Sequence, residues 1–332
     1  MNIKDRRDKM ALKRSKVAIV GIGNVGIALA HQIVINDICD DLVLIDLRKG
    51  KNWAEVMDLQ HSRGFSETKM YIINGEYSDC ADSDIVIITV AAPYKIGMTR
   101  LDMLDKATVI VKSIVDEIMS TEFNGIFIVV TNPVDAMTYL VQQVSGLAPN
   151  RVIGTGTALD TARLRCYLAD TMGVDPRSVD AMCLGEHGDS MVIPWSQITV
   201  GGKKFNEILV DNRARLAGVE TSKVREEIAQ IAYNIVEEKG ATNFGRASVV
   251  AKITKAIIRD EHVVIPISTM LNGEYGIKDV YMGVPAVITG NGVKELVEYN
   301  LEQEELDRLY KSVEILKMAN QKCLQVAKLS TN

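Results

Sequence analysis

The sequence predicts an α/β protein in which a doubly wound parallel sheet is followed by an α+β domain. Short apolar runs alternate with stretches of helical periodicity through the first half, a pattern typical of a parallel sheet covered by helices. A glycine-rich turn directly follows the first apolar run, and the alternation changes character near residue 150. A chain of 332 residues is longer than those that usually fold around a single hydrophobic core, so these observations together predict two domains.

The first half has the more regular pattern. Its predicted strands are 16–20, 42–46, 69–73, 84–90, 125–130 and 151–153. Helical stretches lie between them near 24–37, 50–62 and 104–121. Right-handed crossovers bring the loops that follow such strands to the carboxyl edge of the sheet, so we expect the ligand site at that edge.

The second half mixes helices with short strands. The predicted helices lie near 158–172, 221–238, 244–259 and 301–328. Strand-like patches lie around 179–184, 191–193, 197–200, 262–271, 278–282 and 284–289. No linker rich in Pro, Gly or Ser marks a boundary, and we divide the chain into a charged arm (1–14), a first domain (15–152) and a second domain (153–332).

Composition narrows the class of protein. A net charge of −5 argues against nucleic-acid binding, and no apolar run reaches the roughly 18 residues of a membrane span. The first fourteen residues are too charged for a secretory leader. The five cysteines are odd in number and scattered without a CxxC pair, which favours a reducing cytoplasm and predicts neither disulfides nor a metal site.

The glycine-rich turn has the spacing of a dinucleotide-binding unit. The run GIGNVG follows the first predicted strand, and the second predicted strand ends about twenty residues later in Asp46. The first glycine allows a tight turn, the second admits a pyrophosphate, and the third lets helix and strand pack closely. Asp46 would accept hydrogen bonds from ribose hydroxyls and repel a 2′-phosphate, so NAD is favoured over NADP. The predicted cofactor-binding residues of this Rossmann domain are Gly21, Gly23, Asn24, Val25, Gly26 and Asp46.

Polar residues at the ends of apolar runs are the candidates for catalysis. Such segments lie at 94–100, 131–135, 154–163 and 185–190. Asp160 and Arg163 share one face of a predicted helix, where the alternative is a surface ion pair. His187 lies between two glycines in a turn after a strand, where the alternative is a purely structural histidine.

Several motifs in order resemble the L-lactate/L-malate dehydrogenase family. They are GIGNVG, MDLQH, GMTR, TNPVD, GTGTALDTARLR and GEHGDS, and the resemblance runs from about residue 15 to about 328. It implies an NAD-dependent L-2-hydroxy acid dehydrogenase that reduces a 2-oxo acid and forms homodimers or homotetramers. A protein that binds NAD without catalysis is the alternative from another class.

The resemblance also implies roles for individual residues. His187 would be the acid/base, with a pKa near neutrality, and Asp160 would fix its tautomer and stabilise the imidazolium. Arg163 would clamp the substrate carboxylate with two parallel hydrogen bonds, which lysine could not reproduce. Arg100 matches the mobile-loop arginine that polarises the ketone oxygen when the loop closes.

Two further positions belong to the family's substrate and cofactor contacts. Asn132 matches a residue that contacts substrate and histidine from the sheet edge, and we also count it among the cofactor-binding residues. Thr242 matches the threonine beside the substrate methyl group.

The chain departs from the family where substrate choice is made. Tyr94 stands where lactate enzymes have Gln and malate enzymes have Arg, and it lacks the charge that a dicarboxylate needs. Arg246 stands where the family usually has Val or Ile packed on the nicotinamide; it either supplies that charge or turns outward into solvent. We therefore expect pyruvate as substrate, with a larger 2-oxo acid such as 2-oxoisocaproate and then oxaloacetate as alternatives.

A third departure concerns regulation. Allosteric bacterial lactate enzymes bind fructose 1,6-bisphosphate with an arginine and a histidine, and Arg165 occupies the arginine position. Asp180 replaces the histidine, and its negative charge would repel a phosphate. The sequence therefore argues against activation by this sugar phosphate.

Overall fold

The computed structural model describes residues 14–65, 67–91, 100–212, 216 and 219–329, with no side-chain description for 100–102. The strands are β1 (Lys16–Val20), β2 (Asp41–Ile45), β3 (Tyr71–Asn74), β4 (Ile85–Ile88), β5 (Ile126–Val129), β6 (Val152–Gly154), β7 (Val179–Asp180), β8 (Thr199–Val200), β9 (Lys203–Lys204), β10 (Val263–Asn272), β11 (Lys278–Thr289) and β12 (Gly292–Leu296). The helices are α1 (Asn24–Ile35), α2 (Lys49–Ser62), α3 (Arg100–Met119), α4 (Val134–Ser145), α5 (Ala158–Met172), α6 (Phe205–Asp211), α7 (Thr221–Lys239), α8 (Phe244–Ile258) and α9 (Gln303–Ala327).

The described residues form a nine-stranded sheet, in which β1 to β6 are parallel and lie in the order β3-β2-β1-β4-β5-β6. Val17 of β1 pairs with Leu42 of β2 on one side and with Ile85 of β4 on the other. The strand order therefore reverses between β1 and β4, and ligands of open α/β sheets bind in the crevice at such a point. The predicted doubly wound sheet is confirmed.

The sheet continues from the first half of the chain into the second. Ser268 of β10 pairs antiparallel with Gly154 of β6, and β11 and β12 extend the sheet beyond β10. A Cβ atom on Gly154 would lie 2.3 Å from Oγ1 of Thr138 and 2.8 Å from Cβ of Ser268, so glycine permits this close approach. A separate three-stranded sheet, β7-β8-β9, belongs to the second half.

Helices cover both faces of the sheet, which explains the continuous apolar strands. Val17 and Ile19 pack into one core with residues of α1 and α8. Ala18 and Val20 pack into the other core with residues of α3, α4 and α9. Because both faces are buried, the strands contain consecutive apolar residues instead of an alternating pattern.

The structure corrects several predicted elements. Helix α4 was not predicted, and Pro133 is the N-cap of this helix. The predicted strands 278–282 and 284–289 are one strand, β11, because Gly283 and Pro285 both pair within the sheet. The short strand β12 was also missed.

Within the described residues, no helix is both long and apolar enough to cross a membrane. No group of three or more His, Cys, Asp or Glu side chains in this part of the chain is placed to hold a metal ion.

Candidate active site

The glycine-rich turn lies at the carboxyl end of β1, beside β4. Gly21 has φ +99, and a Cβ atom there would lie 2.8 Å from Cγ1 of Val90. A Cβ atom on Gly26 would lie 2.1 Å from the carbonyl oxygen of Gly21, so the turn and α1 can meet only at a glycine. A Cβ atom on Gly23 would meet nothing within 4 Å, so this residue faces open space.

That open space adjoins the N-terminus of α1, where a dinucleotide diphosphate fits. Gly23 is the N-cap and provides no side-chain cap. The N–H groups of Asn24 and Val25 therefore have no acceptor within the helix and point, with the positive end of the helix dipole, toward the turn. A turn without side chains in front of free donors suits the diphosphate group of NAD.

Asp46 lies beside this turn, directly after β2. One carboxylate oxygen accepts a hydrogen bond of 2.9 Å from the backbone N–H of Ile22. The other accepts from the backbone N–H and from Nε of Arg48, at 2.9 and 3.0 Å. The hydrogen bond from the Arg48 side chain is the main cause that lowers the pKa of Asp46 to about 2, against the effect of burial. Sequence analysis missed Arg48, although its position two residues after Asp46 was a signal.

Asp160 links the other two predicted catalytic side chains. Its Oδ2 lies 2.5 Å from Nδ1 of His187, and its Oδ1 accepts a hydrogen bond of 3.2 Å from Nη1 of Arg163. All three side chains are largely buried, Asp160 at 11% and His187 at 16% exposure. The Asp160–Arg163 pair is therefore part of an inward-facing triad, and the surface-pair interpretation is wrong.

The charges of this triad stabilise one another. Burial alone would raise the pKa of Asp160, yet the charge and hydrogen bond of His187, with the charge of Arg163, hold it below its usual value. Burial opposes protonation of His187, but the charge and hydrogen bond of Asp160 outweigh it and raise the pKa of the imidazole. The charge of Arg246 acts in the opposite direction on His187. The pair is thus built to hold a proton on His187.

A second buried carboxylate fixes the turn that carries His187. The backbone N–H of His187 donates a hydrogen bond of 2.9 Å to Oδ2 of Asp135, in the first turn of α4. Burial raises the pKa of Asp135 to about 6. On the other side, Gly185 has φ +84 and exchanges backbone hydrogen bonds with Gly283 of β11. The TNPVD segment is one of the candidate segments in the sequence, but no function was predicted for Asp135.

A cavity brings predicted residues of both domains together. It is lined by Val130, Asn132, Thr155, Gly156, Leu159, His187, Arg246 and Val249. Arg246 is partly buried and faces this cavity, so its outward orientation is ruled out. Thr242 lies in the connection between α7 and α8 and is not among the described residues that line the cavity.

Two predicted residues precede or begin helix α3. Tyr94 lies outside the described residues. Arg100 is the first residue of α3, and its side chain is not described.

The position matched to an allosteric arginine is already engaged. Nε of Arg165 donates a hydrogen bond of 2.9 Å to the carbonyl oxygen of Ala181. An Nη atom of Arg165 lies 3.7 Å from the carboxylate of Asp180. The negative charge at Asp180 thus lies next to the arginine that would bind a phosphate.

Comparison with known proteins agrees with this geometry. Residues 15–154 match the NAD binding domain of lactate/malate dehydrogenases, and residues 157–326 match their alpha/beta C-terminal domain. The chain belongs to the lactate/malate dehydrogenase family. It accordingly has this family's NAD-binding domain, as the glycine-rich turn predicts.

Curated relatives and solved structures of this family match nearly the whole chain. L-lactate dehydrogenase 3 of Bacillus thuringiensis subsp. konkukian is 44% identical over 302 residues, which cover 91% of this chain and 96% of the relative. L-lactate dehydrogenase 2 of Bacillus anthracis is 43% identical over 303 residues, with the same coverage of 91% and 96%. The ligands-bound minor L-lactate dehydrogenase of Enterococcus mundtii superposes with a TM-score of 0.88 at 40% identity, covering 92% of this chain and 98% of that one. A lactate dehydrogenase from a Medee basin deep-sea metagenome library gives a TM-score of 0.89 at 38% identity, with coverage of 94% and 99%.

Proposed function

We propose that this protein is an NAD-dependent L-2-hydroxy acid dehydrogenase that reduces pyruvate to L-lactate. The observation that carries the proposal is the buried contact of 2.5 Å between His187 and Asp160, beside Arg163 and a cavity at the carboxyl edge of the sheet. Reduction of a 2-oxo acid requires a proton donor next to a group that binds the carboxylate. Relatives over the whole length of the chain are named L-lactate dehydrogenases.

Arg163 orients the substrate in this proposal. Nη1 of Arg163 is held by Asp160, which fixes the guanidinium plane and leaves its other N–H groups for the substrate carboxylate. Two parallel hydrogen bonds from one guanidinium set both the position and the direction of the 2-oxo acid. The ketone oxygen is thereby presented to His187 and Asn132, which share the cavity.

His187 delivers the proton. Its Nδ1 is bound to Asp160, so Nε2 is the ring nitrogen that faces the substrate oxygen. Bound NADH supplies the hydride for the carbonyl carbon. His187 gives its proton to the ketone oxygen. Before this transfer, Asp160 stabilises the positive charge of the imidazolium. Arg100 polarises the same oxygen and Thr242 contacts the substrate methyl group, as the resemblance implies.

The cofactor lies along the first domain in this proposal. Gly21, Gly23 and Gly26 admit the diphosphate to the N-terminus of α1, where Asn24 and Val25 donate backbone hydrogen bonds. Asp46 accepts hydrogen bonds from the adenosine ribose and disfavours a 2′-phosphate. Asn132, at the edge of the cavity, contacts the nicotinamide end. The chain divides functionally at residue 152, after a charged arm of 14 residues.

We further propose a cytoplasmic homodimer or homotetramer that binds neither nucleic acid nor membranes. Five large apolar side chains are exposed on α7 and at the first residue of α8, namely Ile231, Tyr233, Ile235, Val236 and Phe244. Clusters of exposed apolar residues mark protein interfaces. Sedimentation at micromolar concentration tests this point, and a monomer would contradict it.

The activity is tested by NADH oxidation with pyruvate, 2-oxoisocaproate and oxaloacetate, followed by chiral analysis of the product. We expect oxidation with pyruvate and formation of the L-enantiomer. No oxidation with any 2-oxo acid would favour a protein that binds NAD without catalysis.

A further inference from the structure

A guanidinium that makes no hydrogen bond with another described residue faces the proposed substrate cavity. Arg246 lines the cavity together with His187 and Asn132, and it is partly buried there. Among the described residues, none accepts a hydrogen bond from its side chain. Segment 92–99 contains no Asp or Glu in its sequence. The charge of Asp160 partly offsets that of Arg246, but no described residue pairs with its guanidinium through a hydrogen bond.

Two carboxylates lie near His187, and neither accepts a hydrogen bond from Arg246. Asp160 contacts His187 and Arg163 with its two oxygens. Asp135 accepts the backbone N–H of His187 from behind the turn. A substrate carboxylate bound to Arg163 would leave Arg246 unpaired, and an unpaired buried charge is unfavourable.

The location of Arg246 makes an unpaired charge there still less favourable. It is the third residue of α8, next to the positive end of the helix dipole, where a cation is disfavoured. Burial and the neighbouring charge of Arg163 both lower the pKa of Arg246. A cation kept in such a place, facing a ligand cavity, indicates that the ligand supplies the counter-charge.

We infer that Arg246 is a second anion-binding group of the substrate pocket, so that the enzyme reduces 2-oxo acids with a negatively charged side chain in addition to pyruvate. This inference rests on the proposed function and extends its range of substrates. Arg163 binds the 1-carboxylate, and Arg246, from α8, binds the anionic group of the side chain. Oxaloacetate, in which one methylene separates the ketone from the second carboxylate, is a substrate of this kind. Its C2 accepts the hydride of NADH and its ketone oxygen accepts the proton of His187, which yields the 2-hydroxydicarboxylate and NAD⁺.

The charge of Arg246 replaces one that position 94 does not provide. Tyr94 has a neutral side chain at the position where the family uses arginine to bind a second carboxylate. The remaining cavity wall is largely apolar, with Val130, Leu159 and Val249. A neutral substrate side chain can therefore pack on one wall, while an anionic one can reach Arg246.

The test compares two substrates that differ only in the terminal group, oxaloacetate and 2-oxobutyrate. The ratio of their kcat/KM values is measured for the wild type, Arg246→Met and Arg246→Lys. We expect the ratio to fall at least tenfold in Arg246→Met, mainly through a higher KM for oxaloacetate, because a charge-assisted hydrogen bond is lost. Arg246→Lys, which keeps the charge, should retain most of the ratio.

A matched control removes a different cation from the same helix. Lys252 of α8 is half-exposed and forms an ion pair with Glu261, away from the cavity. Lys252→Met should leave the ratio as in the wild type. An equal fall in Lys252→Met and Arg246→Met, or no fall in Arg246→Met, would overturn the inference.

A measurement on the wild-type enzyme tests the role of Arg246 without depending on whether the variants fold. Hydroxymalonate and glycolate differ by one carboxylate, and their inhibition constants against pyruvate are compared in the presence of NADH. We expect hydroxymalonate to bind at least tenfold more tightly, whereas equal or weaker binding would refute the role of Arg246. Failure to reduce any 2-oxo acid would instead refute the proposed dehydrogenase activity.

Discussion

Nδ1 of His187 lies 2.5 Å from Oδ2 of Asp160, and this contact connects the turn after β7 with the first turn of α5. The two residues are 27 positions apart in the sequence and are supplied by different elements. Asp160 therefore does two things at once: it fixes the imidazole ring and raises the pKa of His187 against the effect of burial.

Substitution of Asp160 and substitution of Arg246 should shift the pH profile of kcat/KM in opposite directions. Pyruvate reduction needs protonated His187, so kcat/KM should be constant at low pH and fall as pH rises through the raised pKa of His187. Asp160→Asn removes the charge that raises this pKa and should move the fall to lower pH. Arg246→Met removes a charge that lowers it and should move the fall to higher pH.

The charged groups that act on the pKa of His187 are Asp160, Arg246 and Asp135. Measurement of kcat/KM for pyruvate from pH 5 to 10 distinguishes the variants. Shifts in the same direction would contradict the electrostatic role of one of them.

Substitutions at two glycines of the nucleotide turn should distinguish an effect on folding from an effect on cofactor binding. A Cβ atom on Gly26 would lie 2.1 Å from the carbonyl oxygen of Gly21, so Gly26→Ala should destabilise the protein by about 1–3 kcal/mol. A Cβ atom on Gly23 faces open space, so Gly23→Ala should keep the Tm and weaken NADH binding. Thermal unfolding and fluorescence titration with NADH measure the two effects. A lower Tm in Gly23→Ala would show that the space beside Gly23 is not open.

Arg48 should determine cofactor choice once Asp46 is removed. Its guanidinium now donates to Asp46, and Asp46→Ser would release it next to the position of a 2′-phosphate. The ratio of kcat/KM for NADPH to that for NADH should rise in Asp46→Ser. It should rise much less in the double variant Asp46→Ser/Arg48→Ala, and equal rises would exclude Arg48 as the partner.

The sequence predicted what local spacing determines. Asp160 and Arg163 share a helix face because they are three residues apart, and the glycine turn has its spacing within one βαβ unit. It could not predict contacts set by tertiary packing. Asp135 reaches the backbone of His187 across 52 residues, and only the packing of α4 against the turn shows this.

The orientation of Arg246 could not be predicted either. Its position in an amphipathic helix was compatible with both a solvent-facing and an inward-facing side chain. Packing of α8 onto α1, with Ala247 and Val250 in the core, places Arg246 at the cavity.

Fructose 1,6-bisphosphate should not activate the enzyme. Arg165 is held by the carbonyl oxygen of Ala181, and Asp180 places a negative charge beside it. We expect kcat/KM for pyruvate at subsaturating substrate to be the same with and without millimolar sugar phosphate. Activation of several-fold would require a phosphate site elsewhere.

The kcat for NADH-dependent reduction of pyruvate by the wild type and by His187→Asn tests the central claim most directly. Asparagine keeps the size and polarity of the site but cannot carry the proton, so kcat should fall by roughly 10²–10⁴-fold while the Kd for NADH is nearly unchanged. A His187→Asn enzyme that retains the wild-type kcat would contradict the account, because another group would then deliver the proton.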